Sequence, residues 1–391
     1  MTLYSDPSLK VRHVREVLAK PLAGELLSTT DALLLLRSPS HLTSLIWEAA
    51  DDLRRQLVGE VVSYVVNRNI NFTSYCTKGC HYCHFSVPLN NKQGFFLSDD
   101  QLRSKVTEAS EVGVTEYCIQ GGIHPAVTLE TYTHILDLVR ETDGRPEVHI
   151  HAYSPEEVLH ACNQSKHSIS EVLITYQLHG LCSLPGTAAE VLHPSVREII
   201  SPHRLSVDQW VKVVRQAHSL GLPTTSTIMY GHVEEPQHVV AHLDLIRSMQ
   251  MQAKKQGQVG FTEFIPLRFV NERGTTSPFL EDRRGSLVQP PPNDPRMNKE
   301  WDLKIHAVAR LFLHSLIPNI QASHTKMGST LTKEVLRAGA NDLGGTLMEE
   351  NITQSARKRP QEMLGEEQLI DLATAVGRPT RRRTTTYADL S

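Results

Sequence analysis

Three thiols fall within the run Cys76-Thr77-Lys78-Gly79-Cys80-His81-Tyr82-Cys83. The spacing C-x3-C-x2-C lets Cys76, Cys80 and Cys83 converge on one metal centre. Two centres answer to that description. A structural zinc ion would need a fourth ligand, which His81 or His84 could supply, although no second CxxC or HxxxH pair follows at finger spacing. A cubane iron–sulfur cluster held by three cysteines keeps one iron open, which a cluster needs if it is to bind and reduce a substrate rather than only pass electrons. Cys118, Cys162 and Cys182 lie in strand-like or helix-like segments and read as core residues.

Other polar groups gather at the ends of apolar runs. Gln120-Gly121-Gly122 closes one of them, and paired glycines at a strand end let the backbone approach a ligand closely. Glu190 follows Ser183-Leu184-Pro185-Gly186-Thr187-Ala188-Ala189, where a carboxylate either takes hydroxyl groups of a ligand or stands solvated at a helix start. His149, His151, Tyr230, His232, Glu234, Glu263, Gln321 and His324 also stand at run ends. As a set they suggest binding of a polar substrate bearing hydroxyl or amide groups. With 20 histidines in the chain, any single one is more often structural. No residue stands out as a catalytic acid, base or radical quencher.

These groups need strands to carry them. Candidate strands are Val62–Asn71, Tyr117–Gln120, Val148–Ala152, Cys182–Pro185, Thr224–Tyr230, Phe261–Pro266, Asn319–Ser323 and a weak one at Asp342–Thr346. Capping-box pairs Ser98/Gln101, Ser154/Glu157, Ser168/Glu171 and Ser206/Gln209 start helices between them, and Gly113, Gly180 and Gly221 stop helices. Eight strand–helix units predict an α/β fold, a (β/α)8 TIM-type barrel whose chemistry collects at the C-terminal ends of the strands. A doubly wound open sheet is the runner-up. The expected organisation is an N-terminal helical extension over residues 1–58, the barrel over 59–358, and a C-terminal helix and basic tail over 359–391. The proline-rich insertion between Arg268 and Lys299 reads as a lid or a disordered excursion. The arginine-rich tail beyond Ala375 reads as solvated, with a strip closing over an anionic substrate as the alternative.

Composition narrows the classes. Hydrophobic residues at 40% and charged residues at 21% fit a globular protein rather than a disordered one. A formal charge of −3 leaves no basic footprint for nucleic acid. No apolar stretch approaches the roughly 18 residues of a spanning helix and the start lacks a signal-peptide core, so no membrane partner and a cytoplasmic location are expected.

The cysteine run resembles the CxxxCxφC pattern of the radical S-adenosylmethionine (radical SAM) superfamily, with Tyr82 at its aromatic position. That resemblance implies a [4Fe-4S] cluster on the three cysteines whose open iron is chelated by S-adenosyl-L-methionine. It also implies that Tyr82, Gln120, Gly121, Gly122 and Glu190 bind that cofactor. Longer blocks, among them Asn67-Arg68-Asn69-Ile70-Asn71-Phe72-Thr73, His149-Ile150-His151-Ala152-Tyr153-Ser154-Pro155 and Pro185-Gly186-Thr187-Ala188-Ala189-Glu190, resemble the FO synthase large-subunit family, the 5-amino-6-(D-ribitylamino)uracil–L-tyrosine 4-hydroxyphenyl transferases. The resemblance implies deazaflavin biosynthesis: a deoxyadenosyl radical attacks L-tyrosine, and the released 4-hydroxybenzyl fragment joins 5-amino-6-(D-ribitylamino)uracil, leaving 2-iminoacetate. It further implies the small FO synthase subunit, a second radical SAM enzyme, as functional partner, and a flavodoxin or ferredoxin as electron donor. The chain departs from that family's pattern at Asn271, where His is usual, and at His324, where Trp is usual. Several blocks are shared with the menaquinone futalosine-pathway enzymes, of which a dehypoxanthine futalosine cyclase is the nearer alternative; a zinc-stabilised, non-catalytic binding barrel is the alternative of another class.

Overall fold

The computed structural model describes residues 7–272, 298–359 and 363–388. Alternating apolar runs and capped helices produce eight strands: β1 (Val62–Val65), β2 (Asn67–Asn71), β3 (Glu116–Gln120), β4 (His149–Ala152), β5 (Thr224–Tyr230), β6 (Phe261–Arg268), β7 (Asp342–Gly345) and β8 (Thr380–Arg382). β1 and β2 are successive halves of the first barrel strand. β2 pairs in parallel with β3 and β3 with β4, β5 pairs with β6, and β7 with β1. Single parallel bridges close the remaining gaps: His151 to Ser183, Leu184 to Thr224, Phe264 to Ile320 and Gln321 to Asp342. The result is a parallel ring of eight positions, the barrel that the strand count predicts.

Two positions are thinner than expected. The fourth and seventh are bridges rather than ladders, while the eighth, expected to be weak, is the regular strand β7. The fourth segment carries Pro185, which lacks a donor, and Gly186, where a Cβ would stand 2.2 Å from the Thr225 carbonyl oxygen.

Local sequence sets the helices. All four capping boxes read from the sequence form, with the serine hydroxyl accepting from the third helical N–H and the Gln or Glu side chain returning to the serine N–H. Gly113, Gly180 and Gly221 take positive φ just past helix ends. The N-terminal helices Pro7–Leu22, Thr29–Leu36 and Thr43–Val58 bury Leu35, Ile46 and Leu53 in one apolar cluster with Ile305 and Phe312 of the helix Lys299–Leu313. A second cluster fills the other side, between β1–β4 and the helices outside them. Among the described residues no helix is long and apolar enough to cross a membrane.

The basic tail is not solvated. β8 lies parallel to β1, pairing Val62 with Thr380 and Tyr64 with Arg382, and the Arg383 N–H donates to the Tyr64 carbonyl at 2.9 Å. Arg383 is buried, with Nε 2.5 Å and Nη2 2.9 Å from the two oxygens of Asp342. Nothing in the tail's own pattern marks this position, because Asp342 lies 41 residues earlier and Glu263 120 residues earlier. Most of the proline-rich insertion, from residue 273 to 297, lies outside the described residues.

Candidate active site

The strands' C-terminal ends open into a cavity of about 380 Å³. The cysteine loop forms its mouth. It leaves β2 through Phe72, whose ring fills the space where a Gly121 side chain would start, at 2.4 Å from the ideal Cβ position. Gly122 is tighter still: a Cβ there would stand 2.2 Å from the Tyr75 carbonyl oxygen. The paired glycines therefore let the end of β3 lie against the loop, tied by Gly122 N–H to Thr73 and Thr77 N–H to Ile123, both 2.9 Å.

Cys76, Cys80 and Cys83 are free, and all three line the cavity. Backbone N–H groups of Lys78 and Ser86 donate to the sulfurs of Cys76 and Cys83 at 3.4 Å. Burial pushes the Cys80 thiol up to about 12 and the Cys76 thiol upward as well. Bare Cys76 and Cys80 would hold their protons at neutral pH, and a bound centre would supply the positive charge that removes them. Among the described residues no three His, Cys, Asp or Glu side chains are arranged to hold a metal ion. Three free thiols in one cavity, two with N–H donors to sulfur, fit the cluster.

Beside the thiols, the Tyr82 hydroxyl donates to Glu190 Oε1 at 2.6 Å, and Arg204 reaches the same oxygen at 2.9 Å. Arg204 also pairs with Glu156 at 3.5 Å, and Glu156 with Lys78 at 2.7 Å. Burial raises the Tyr82 hydroxyl well above its ordinary value, so it stays a donor. Glu190 has φ 46° and Ala188 φ 64°, left-handed conformations that cost energy in a non-glycine residue. Arg197 holds them, donating from one buried nitrogen to the carbonyls of Ala188 and Ala189 at 3.0 and 2.8 Å. Glu157, the capping-box residue of helix Pro155–Ser165, also accepts from Gly121 N–H at 2.9 Å; burial pushes its carboxyl up to about 7.

Below the mouth the walls are polar. Asn67, Asn69 and Asn71, alternating along β2, all face the cavity. Glu116 accepts from Asn67 at 2.7 Å and from Thr385 at 2.6 Å. Burial alone would raise its carboxyl, but the adjacent His151 and these two donors outweigh it and hold it low. Glu263 accepts from the Tyr387 hydroxyl at 2.8 Å and stands 3.5 Å from Arg383; burial nevertheless pushes it up to about 7.

The residues expected to bind substrate divide. His151, Glu263 and Gln321 line the cavity, as do Tyr82, Gln120, Gly121, Gly122 and Glu190. His149, Tyr230, His232, Glu234 and His324 are not among the described lining residues. His149 and His151 share a face, as alternation requires, and both meet Ser183 Oγ, at 2.7 and 2.6 Å. Tyr230 donates to Asp302 at 2.8 Å. Glu234 shapes the turn after β5 by accepting from the N–H groups of Gly231 and His232, and the His232 ring meets the Met229 carbonyl. His324 Nε2 meets the Gly345 carbonyl at 3.1 Å. Sequence reasoning missed Arg197, Arg204, Glu156, Glu157 and Thr385, and reached Arg383 only as part of the arginine-rich tail. Of those missed, only Glu157 left a signal, as the closing residue of a capping box.

A parallel eight-position barrel with three free cysteines at its mouth, joined to a superfamily match over much of its length, makes this chain a radical SAM enzyme, one that works with a [4Fe-4S] cluster and S-adenosyl-L-methionine. Residues 70–246 match the Radical SAM superfamily, and residues 258–388 match the CofH/MqnC C-terminal region. A 5-amino-6-(D-ribitylamino)uracil–L-tyrosine 4-hydroxyphenyl transferase of Archaeoglobus fulgidus is 44% identical over 90% of this chain and 94% of its own. Its counterpart in Methanopyrus kandleri is 40% identical over 88% of each chain. FO synthase of Mycobacterium tuberculosis is 42% identical over 88% of this chain but only 38% of its own length, so it contains further chain with no counterpart in the match. Among solved structures, methylornithine synthase (PylB) is similar with a TM-score of 0.71 at 17% identity, covering 94% of this chain and 97% of that one. The hydrogenase maturase HydG is similar with a TM-score of 0.72 at 15% identity, covering 96% and 77%; both likenesses concern the fold. The chain belongs to the 5-amino-6-(D-ribitylamino)uracil–L-tyrosine 4-hydroxyphenyl transferase family within that superfamily.

Proposed function

We propose that this enzyme transfers the 4-hydroxybenzyl group of L-tyrosine to 5-amino-6-(D-ribitylamino)uracil in deazaflavin biosynthesis. The observation that carries the reading is the length of the likeness: 44% identity to a relative of that name across 90% of the chain and 94% of the relative. The zinc-stabilised and futalosine alternatives have no such support.

Cys76, Cys80 and Cys83 would hold the cluster, and Tyr82, Gln120, Gly121, Gly122 and Glu190 would flank S-adenosyl-L-methionine. When bound, the pair supplies one-electron cleavage that yields a primary carbon radical. The chain's own residues do the rest. The Arg204–Glu190–Tyr82 set fixes a carboxylate at the mouth without leaving it uncompensated, and the strands wall off a cavity in which a radical meets substrate rather than solvent. All six cysteines are free, as in a reducing compartment, which supports a cytoplasmic location. The product would pass to the small FO synthase subunit, and a flavodoxin or ferredoxin would deliver the electron.

Anaerobically purified protein should be brown with about four irons per chain. Reduced and supplied with S-adenosyl-L-methionine, tyrosine and the ribitylaminouracil, it should give 5′-deoxyadenosine and a hydroxybenzyl adduct. Turnover of a futalosine derivative with no adduct from tyrosine would reverse the reading.

A further inference from the structure

The floor of the cavity is unusual in its charge. Glu116 and Glu263 face the cavity, and Asp342 stands behind Arg383. Two carboxyl groups, Asp342 and Glu263, stand at one guanidinium, and Glu116 adds a third to the same floor. The guanidinium is already committed: Nε and Nη2 bond Asp342, Nη2 also reaches Glu263, Nη1 donates to the Thr384 carbonyl at 3.2 Å, and the group lies 3.9 Å over the Tyr387 ring. Arg383 therefore has little to offer an anionic ligand, and a ligand carboxylate at this depth would sit beside Glu116, whose carboxyl its neighbours hold low. A ligand rich in O–H and N–H donors meets the opposite situation, because each carboxylate oxygen can accept more than one hydrogen bond.

The wall above the floor has matching chemistry. Asn67, Asn69 and Asn71 project inward at every second residue, a ladder of amide donors and acceptors about 13 Å long from the floor to the cysteine loop. Cationic groups stand instead at the rim. Arg268 ends β6 and pairs with Asp302 at 3.3 Å, and Lys326, just past the 320–321 bridge, donates to Thr353 Oγ1 at 2.5 Å; both line the cavity.

Resting on the transferase reading above, we infer that the ribityl chain of the aminouracil lies along the Asn67–Asn69–Asn71 ladder with its hydroxyl groups on Glu116 and Glu263, while the amino-acid substrate keeps its carboxylate at the rim near Arg268 and Lys326. The arrangement points the uracil ring toward the cysteine mouth, where the new carbon–carbon bond must form. It also makes the C-terminal strand part of substrate recognition. Thr385, three residues past β8, fixes the Glu116 carboxylate from below. Thr385 and Asn69 thus act as specificity-determining residues for the polyol substrate.

The test is a pair of KM measurements on cluster-loaded enzyme, one for each substrate, with calorimetric titration of the ribitylaminouracil alone as a second readout. Thr385→Val and Asn69→Ala should each raise the KM for the ribitylaminouracil about tenfold and weaken its calorimetric binding by a similar factor, with the KM for tyrosine within about twofold of wild type. Lys326→Met should do the reverse. A shift in the tyrosine KM alone in Thr385→Val and Asn69→Ala, equal shifts in both constants, or no shift in either would overturn the placement. If wild-type enzyme forms no adduct, the transferase reading fails by itself. The calorimetric comparison of wild type with Thr385→Val then still decides whether the floor holds the polyol, and equal binding by the two rejects it.

Discussion

Arg204 shows how one side chain holds the mouth together. Its guanidinium serves two carboxylates, the buried Glu156 and the part-buried Glu190, and has no apolar substitute. Arg204→Met should cost about 1–3 kcal/mol in urea unfolding, because Glu190 loses its cation while Glu156 keeps only Lys78. Arg204→Lys should recover part of the loss. The cysteines answer to a different readout. Cys80→Ala should lower bound iron from about four per chain to below one with an unchanged far-UV spectrum, since no strand pairing depends on the sulfur. The two cases differ in legibility. The cysteine spacing is visible in eight consecutive letters, whereas Arg204 is one of many arginines until the fold sets it between Tyr82 and Glu190.

Among the elements, the helix starts were the most legible, since a capping box is completed within four residues. Ser154→Ala should cost about 1 kcal/mol as a lost cap, read by thermal unfolding. It should also loosen Glu157, which joins that helix to the Gly121 N–H. The Gly121-Gly122 pair was legible as a place of close approach, but the neighbour it approaches is the protein's own loop. Gly122→Ala would force its methyl group against the Tyr75 carbonyl. Protein carrying it should fold and lose cluster iron several times faster than wild type under chelator. The fourth and seventh strands were placed in the right segments, yet only as bridges, because pairing length depends on the neighbouring register rather than on the apolar run itself.

For the molecule as a whole, buried histidines and buried carboxyls pull the response to acid in opposite directions, since Glu157 and Glu263, raised to about 7, favour the folded state as pH falls. Burial lowers His218 from 6.5 to about 4; its ring meets Thr224 Oγ1 at 2.9 Å and the edge of Phe261. Below pH 6.5 the unfolded chain takes up a proton that the folded chain refuses. The associated stability is therefore complete above the unfolded value and is lost as pH falls toward the folded one. At pH 5 the loss from this site is about 2 kcal/mol. Between pH 7 and pH 5, His218→Asn should therefore lose less stability than wild type, read from denaturation midpoints. His242 and His306, also lowered by burial, act in the same direction. Removal of residues 379–391 should be far more damaging than a solvated tail would allow, because β1 loses its partner β8 and Asp342 its buried cation.

The sequence by itself determined what is local: three thiols at cluster spacing, helices with their own caps, and eight apolar runs in the right order. Those features depend on residues a few positions apart, so a linear reading reaches them. Tertiary structure alone decided which polar residues face the cavity. His232 and Glu234 turned inward to hold a backbone turn, and His324 to meet the Gly345 carbonyl, while Arg383 and Thr385 came from the far end of the chain to form the floor. A buried charge must find its partner wherever closure of the barrel puts one, and that pairing has no periodicity in the chain to announce it.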